Sequence, residues 1–300
     1  MMIADLGRFH RMLAIHVAIA TVGRPALVAS TVARLARQTR RADGVLVVSV
    51  SPADVDGVDA IPTPPRIAFA ERGLCRQRNR ALDLLQHDAD IIVFFDDDFI
   101  PADDYLESVE RLFMAHPDVV GITGDLVADG IGGPGFTVDE AEMLIARDAA
   151  SLPARIKTRE ALYGCNMAIR MSAAVDLRFD EALPLYGWQE DIDYTYQLGR
   201  RGRLISTGQV TGVHMGAKGG RTSGRKLGYS QVANIVYLRR KGTMQPGLGG
   251  LLLRKNIAAN LIRSFRPEPL IDRRGRLIGN AMALIDVIRG RVDPRRIEQM

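Results

Sequence analysis

The 300-residue chain is poor in several things. It has one tryptophan, two cysteines and an aromatic content of only 6%. Cys75 and Cys165 cannot build a disulfide framework and fit reduced, buried thiols of a cytosolic protein. No stretch approaches the ~20 apolar residues that a membrane span requires. Leu13–Val22 (LAIHVAIATV) follows Arg8 and Arg11 as a signal-peptide core would. However, His16 interrupts it, and it runs into Gly23-Arg24-Pro25 without a small-x-small cleavage site. A first β-strand is the better reading. There is no internal repeat and no long low-complexity tract. The first loop, TVGRPAL, has one glycine and no lysine, which counts against the triphosphate grip of a nucleotidyltransferase.

The formal net charge of +5 conceals an asymmetry. From Arg239 onward there are 14 Lys+Arg against 5 Asp+Glu, whereas the preceding 238 residues hold 26 against 30. The basic character therefore belongs to the tail. Few aromatics are interleaved with those charges, which speaks against a nucleic-acid partner.

The first half alternates strand-like and helix-like segments. Ile15–Thr21, Val45–Val50, Ile67–Ala70 and Val119–Val127 read as strands. Asp90–Phe95 (DIIVFF) is apolar on both faces after its first residue, as in a parallel sheet covered on both sides. Helices are expected after Pro25, over Leu74–Gln86 and over Tyr105–Met114, the last capped by Asp103 or Asp104. Gly216–Gly228 reads as a Gly-rich basic loop. Tyr229–Arg240 and Leu251–Phe265 read as helices separated by a hinge at Gly242–Gly250. Alternation of this kind implies right-handed βαβ units, hence an α/β fold with a Rossmann-like, mostly parallel sheet flanked by helices and a C-terminal helical extension. Its boundary is expected between residues 228 and 229.

Such sheets bind ligands at the carboxyl ends of their strands. That is where VFFDDDFIP, residues 93–101, places Asp96, Asp97 and Asp98 side by side. Three adjacent carboxylates leaving a buried strand repel one another and are costly to desolvate. Helix capping would explain one of them. A divalent cation completed by phosphate oxygens would explain the group. A second acidic cluster, WQEDIDYTYQLGR, opens a helix with Glu190 and Asp191. Acidic residues in a first helical turn also occur for the helix dipole alone.

Five segments occur in an order that resembles family 2 glycosyltransferases, which have the GT-A fold. Thr21, Arg24, Leu27, Leu35 and Gln38 resemble that family's first strand and helix. GLCRQRNRAL, with Gly73, Arg78 and Asn79, resembles its helix carrying an Arg-Asn pair. FFDDDFIP resembles its DxD motif, YGCNMAIR its Gly-x-Asn segment with Asn166, and EDIDYTYQLGRRG its Glu-Asp motif. The match spans roughly residues 15–215. The resemblance implies that Asp98 ligates a Mn²⁺ or Mg²⁺ holding the donor diphosphate, with Asp96 on the ribose or a metal-bound water. It implies that Asp191, with Glu190 beside it, deprotonates the acceptor hydroxyl for an inverting displacement. His214 resembles a late histidine that joins the metal or diphosphate. Arg78, Asn79, Asp97 and Asn166 would line the donor site with Thr21 and Arg24. Lys218 and Arg221 could fold over the diphosphate or belong to a solvated linker, and Trp188 could stack on a sugar acceptor or pack in the core. The family usually ends its second strand with an Asp that reads the base. Here VVSVSPADVDG offers Asp54 at best.

A nucleotide-diphosphate sugar, with a UDP-sugar first, and a glycan or lipid-linked acceptor in cell-surface polysaccharide or glycolipid synthesis follow as the implied partners. The rivals are a haloacid-dehalogenase-like phosphatase, suggested by the Asp-x-Asp and by GDLVAD at 124–129, and a sugar-nucleotide-binding module without catalysis. The phosphatase reading leaves too little chain between its two motifs. In the tail, Leu251, Ile257, Ala258, Leu261, Ile262 and Phe265 stand against Arg254, Lys255 and Arg263. A basic amphipathic helix can lie on the anionic inner face of the plasma membrane. The alternative is packing on the catalytic body or, in a homo-oligomer, on a second copy.

Overall fold

In the computed structural model, which describes residues 12–217, 223–266 and 268–300, the first half forms the expected alternation. It runs β1 (Ile15–Ala20), α1 (Pro25–Leu35), β2 (Gly44–Ser49), β3 (Arg66–Phe69), α2 (Leu74–Leu85) and β4 (Ile91–Asp96). There follow β5 (Phe99–Pro101), α3 (Tyr105–Ala115), β6 (Val119–Asp129), α4 (Val138–Asp148), β7 (Lys157–Arg159) and β8 (Asn166–Arg170). The rest comprises α5 (Met171–Ala174), α6 (Glu190–Gly199), β9 (Arg203–His214), α7 (Gly224–Lys241), α8 (Pro246–Ser264) and α9 (Arg273–Ile288).

The strands join in one sheet of order β3-β2-β1-β4-β8-β6-β9-β5, with β7 also paired to β9. Among the described strands β1, β2, β3, β4, β6 and β9 run one way, and β5, β7 and β8 run against them. The sheet is therefore mixed but mostly parallel, as the alternation predicts. β4 lies at its centre, and Ile91–Phe95 are each no more than 1% exposed. Ile92 and Phe94 enter the core shared with α2, whereas Val93 and Phe95 enter the one shared with α1 and α3. Burying each such side chain stabilises by about 1.5–3 kcal/mol, so the strand that delivers the aspartates is firmly placed.

Several boundaries differ from expectation for identifiable reasons. Neither aspartate caps α3 as expected. Asp104 stands at its N-cap without a side-chain hydrogen bond, and Asp103 is taken by the buried Arg34. α7 begins at Gly224, inside the segment expected to be a loop, because Ser223 accepts the Lys226 amide and caps it. Within the expected hinge only Gly242 (φ +82°) breaks the chain, and Pro246 then starts α8. α4 and α9 are absent from the expectations, although Thr137 and Glu140 form a capping box ahead of α4.

The boundary expected at 228/229 falls inside α7, which serves two cores. Ile235 and Leu238 join the core of the sheet, while Tyr229, Val232 and Ala233 pack with Ala283 and Ile297. Buried amides tie the last helices together. Asn260 donates to Gln231 at 2.8 Å and to Asn280 at 2.9 Å, and Asn280 donates to the Gly228 carbonyl at 2.7 Å.

α7 and α9 meet through glycine. A Cβ on Gly279 would lie 2.1 Å from the Arg225 carbonyl oxygen, and one on Gly228 would lie 2.1 Å from that of Arg276. Both obstacles are backbone, so the helices would have to separate. Gly247, in the first turn of α8, has nothing within 4 Å of such a Cβ. Gly279→Ala is therefore expected to destabilise by about 1–3 kcal/mol, and Gly247→Ala to stabilise by roughly 0.5–1 kcal/mol. Denaturant midpoints moving the same way for both variants would contradict this packing.

Candidate active site

The strand order reverses direction between β1 and β4, and the crevice outside their carboxyl ends is where an open α/β sheet receives ligands. The three aspartates emerge there, and each is met by a different cation. Arg24, at the N-cap of α1, reaches Asp97 at 2.6 Å and Asp98 at 3.6 Å. Arg78 of α2 reaches Asp96 at 3.0 Å. His214, ending β9, places Nε2 3.4 Å from Asp98.

Arg78 extends this network across the crevice. Its guanidinium is buried, donates to the Gly164 carbonyl at 2.8 Å, and holds Glu190 of α6 at 2.6 Å. The rings of Phe94 and Phe179 lie 5.6 and 5.5 Å from its centre, supplying cation–π attraction that compensates part of its lost hydration. Asp191, next to Glu190, accepts the Gly164 amide at 3.0 Å and the Ile192 amide at 2.8 Å. Gly164 thus binds Arg78 through its carbonyl and Asp191 through its amide. The turn feeding α6 is under strain, since Leu185 (φ 58°) and Gln189 (φ 72°) are left-handed without being glycine, at a cost of about 1–2 kcal/mol each. From behind, Asp193 anchors α6 by accepting the Thr243 hydroxyl at 2.5 Å and the Lys241 ammonium at 2.8 Å.

Burial sets the protonation pattern. Desolvation pushes the Glu190 carboxyl up to about 8 against the pull of Arg78. It also raises Asp191, although the Gly164 amide and Arg78 work the other way. Asp96 is raised by desolvation too, with Arg78 opposing. Desolvation would raise Asp98 as well, but His214, Arg24 and the Ala217 amide together hold it below the ordinary carboxylate range. At His214, desolvation disfavours the imidazolium, yet Asp129 and Asp98 outweigh it and lift the group to about 10.

Asp96, Asp98 and His214 each present a ligand atom within 4.8 Å of the others. Two carboxylate oxygens and one imidazole nitrogen suit Mn²⁺ and remain compatible with Mg²⁺, so the donor set fits such a cation.

Other sequence-derived candidates occupy different places. Asp97 is sealed from solvent and is engaged by Thr21 at 2.6 Å and by Arg24, so it holds Arg24 in place. Asp54 is a loop organiser. It accepts the Gly23 amide at 2.6 Å and the Ser51 amide at 2.8 Å, which leaves its carboxylate turned into the protein. Asn79 pins the Phe179 backbone from both sides of its amide, and Asn166 pins β8 to β6 through the Gly124 amide at 2.6 Å. Trp188 is half-buried, stacked near Tyr186 at 6.2 Å, with its carbonyl held by Asn234. Lys218 and Arg221 lie outside the described residues. The structure adds residues that spacing did not reveal: Tyr186, 47% exposed beside the acidic cluster, and Asp129 with Tyr163 behind His214.

The fold has solved counterparts. S. aureus TarS, residues 1–349, superposes with a TM-score of 0.55 at 14% identity, covering 96% of this chain and 83% of that one. Glucosyl-3-phosphoglycerate synthase from Mycobacterium tuberculosis, in complex with Mn²⁺, UDP and phosphoglyceric acid, gives 0.51 at 16%, covering 78% and 81%. GalNAc-T7 with UDP, GalNAc and Mn²⁺ gives 0.51 at 13%, covering 78% of this chain and 52% of that one. At these identities the likeness concerns the fold alone. No curated protein sequence matches the chain. The family described as glycosyltransferase like family 2 matches residues 11–208, about two thirds of the sequence and every strand of the sheet up to the start of β9. The chain therefore belongs to glycosyltransferase-like family 2.

Proposed function

We propose that this chain is a metal-dependent, inverting glycosyltransferase that moves a sugar from a nucleotide-diphosphate donor to the hydroxyl of a glycan or lipid-linked acceptor, in the synthesis of a cell-surface glycan. One observation carries this reading. A triad able to hold a cation (Asp96, Asp98 and His214) is joined through a single buried arginine, Arg78, to the helix start that bears Glu190 and Asp191. Two of the solved fold counterparts hold UDP together with Mn²⁺, so a UDP-sugar is the first donor class to test.

A divalent cation held by Asp96, Asp98 and His214 would supply positive charge to the diphosphate as it leaves. Arg24, 24% exposed along its side chain above Asp97 and Asp98, would add to that charge. Asp191 is the proposed base. It takes the proton from the acceptor hydroxyl while that oxygen bonds to the anomeric carbon, and the bond from that carbon to the diphosphate oxygen breaks with inversion. Glu190 is committed to Arg78 and would serve by holding α6 and the arginine in register. Neither rival reading gains from the geometry. Asp125 and Asp129 of GDLVAD face Lys157 and His214.

The tail supports a second element of the proposal, namely peripheral contact with an anionic bilayer from the cytoplasmic side. No helix among the described residues is long and apolar enough to cross a membrane. α8 packs inward through Asn260 and Ser264, yet Leu261 (47%), Ile262 (69%) and Phe265 (78%) are exposed. Arg254, Lys255 and Arg266 lie on or beside that outer face, a charge complement for acidic lipid headgroups.

Calorimetric titration with UDP and Mn²⁺ separates the proposed roles. Asp98→Ala is expected to abolish metal-dependent donor binding. Asp191→Asn should keep that binding and lose roughly 10²–10⁴-fold in transfer. Equal donor binding by wild type and Asp98→Ala would rule out the metal role. The raised Asp191 carboxyl also fixes the sign of the pH dependence, because a base works only when deprotonated. Activity should therefore fall as pH drops through a value above the ordinary Asp range, about 3.9. A rate profile flat down to pH 4 would exclude Asp191 as the base. For the tail, Ile262→Asp combined with Phe265→Ser should reduce cosedimentation with phosphatidylglycerol vesicles and leave donor binding intact. Unchanged cosedimentation would remove the membrane element alone.

A further inference from the structure

His214 faces two different carboxylates with its two ring nitrogens. Nε2 points to Asp98, whereas Nδ1 lies 3.0 Å from Asp129 Oδ1. Asp129 ends β6 and stands directly opposite His214 in the β6–β9 register, so the sheet itself sets their separation. The carboxylate is fixed from two further directions. The Ile131 amide donates to Oδ1 at 3.0 Å, and the Tyr163 hydroxyl donates to Oδ2 at 3.1 Å. The Tyr163 ring also meets the imidazole edge-on, at 5.9 Å and 87°. His214 is buried, and the ring is gripped on its Nδ1 side before any ligand enters.

An imidazole that binds a cation must offer a bare nitrogen, and which nitrogen is bare depends on the hydrogen bond made by the other. We infer that Asp129 is a positioning residue that assigns the two nitrogens of His214: it accepts the Nδ1 proton and leaves Nε2 as the lone-pair donor toward the cation shared with Asp96 and Asp98. Tyr163 completes the arrangement by holding the second oxygen of Asp129, which prevents the carboxylate from rotating away. Asp129 touches neither donor nor acceptor under this assignment and acts wholly through the histidine. The inference rests on the metal reading proposed above.

The test uses the full chain and Mn²⁺ alone, without nucleotide. Free Mn²⁺ is counted by electron paramagnetic resonance, and pulsed measurements on the bound ion read its coupling to a directly ligated nitrogen. Wild type is expected to bind Mn²⁺ with a nitrogen coupling that disappears in His214→Ala. Asp129→Ala should weaken Mn²⁺ binding by about 10–100-fold and diminish the coupling. Asp129→Asn, which keeps the shape and an acceptor oxygen, should fall between and decides the matter if the alanine variant does not fold. Tyr163→Phe should weaken binding by a few-fold. Wild-type affinity with unchanged coupling in Asp129→Asn overturns the inference and leaves the metal site standing. Weakened affinity with full nitrogen coupling also overturns it, since Asp129 would then contribute only charge. Absence of Mn²⁺ binding or of nitrogen coupling in wild type overturns both readings.

Discussion

Three carboxylates leave a strand that is sealed on both faces, and each must be neutralised before the fold can close around them. An unpaired charge in such a place costs several kcal/mol, and removing one partner of a buried pair typically costs about 3–5 kcal/mol. The cations come from three separate elements: Arg24 from the start of α1, Arg78 from α2 and His214 from the end of β9. The requirement that each meet its own aspartate ties α1, α2 and β9 to the end of β4. Arg78 passes the constraint on to α6 through Glu190. The electrostatic demand of one tripeptide thus determines where the second acidic cluster sits.

The compensation is incomplete in a useful direction. Around the crevice stand Asp96, Asp97, Asp98, Asp129, Glu190 and Asp191, against Arg24, Arg78 and His214. Glu190, lifted to about 8, and Asp97, pushed up to about 7, are not fully ionised at neutral pH, yet Asp96, Asp98, Asp129 and Asp191 alone still outnumber the three positive groups by one. A nucleotide diphosphate brings more negative charge and would be repelled from that surface without additional cations. The proposed donor and the proposed cation therefore depend on each other, and the site favours binding the two together over binding the nucleotide alone.

Much of this was readable in the sequence, and what was not has a common cause. Periodicity found β1 to β4, because a strand apolar on both faces has little alternative, and it found the carboxyl-end location of the aspartates. It also placed Arg78 on a helix and Glu190 at the start of one, whereas His214 as a site residue came only from the family resemblance. It could not tell which way a polar side chain points. Asp54, Asn79 and Asn166 look like ligand-binding residues by type and position, yet their polar atoms are spent on the Gly23 amide, the Phe179 backbone and the Gly124 amide. Asp129 shows the converse. Its partner lies 85 positions away, and only the register of β6 on β9 brings the two side by side. Helix starts were missed where capping, not periodicity, decides them, as at Ser223 and Thr137.

The C-terminal helices are better understood as part of the site's support than as an appendage. Asn234 of α7 holds the Trp188 carbonyl at 2.7 Å, at the strained turn that leads into α6. Lys241 bridges Asp180 and Asp193, and Thr243 donates to the fully buried Asp193, two positions past Asp191. Loss of these donors would leave the buried Asp193 carboxylate with only the long 3.4 Å hydrogen bond from Gln197, at a cost of about 1–3 kcal/mol or more for a charged group. The helix turn that carries Asp191 would feel that cost first. A truncation anywhere before Thr243 therefore removes the tail's outer face and the anchor of α6 in a single step. The proposed membrane contact could be separated from sugar transfer by substitutions confined to the outward side of α8, at Ile262 and Phe265, which leave Asn234, Lys241 and Thr243 in place.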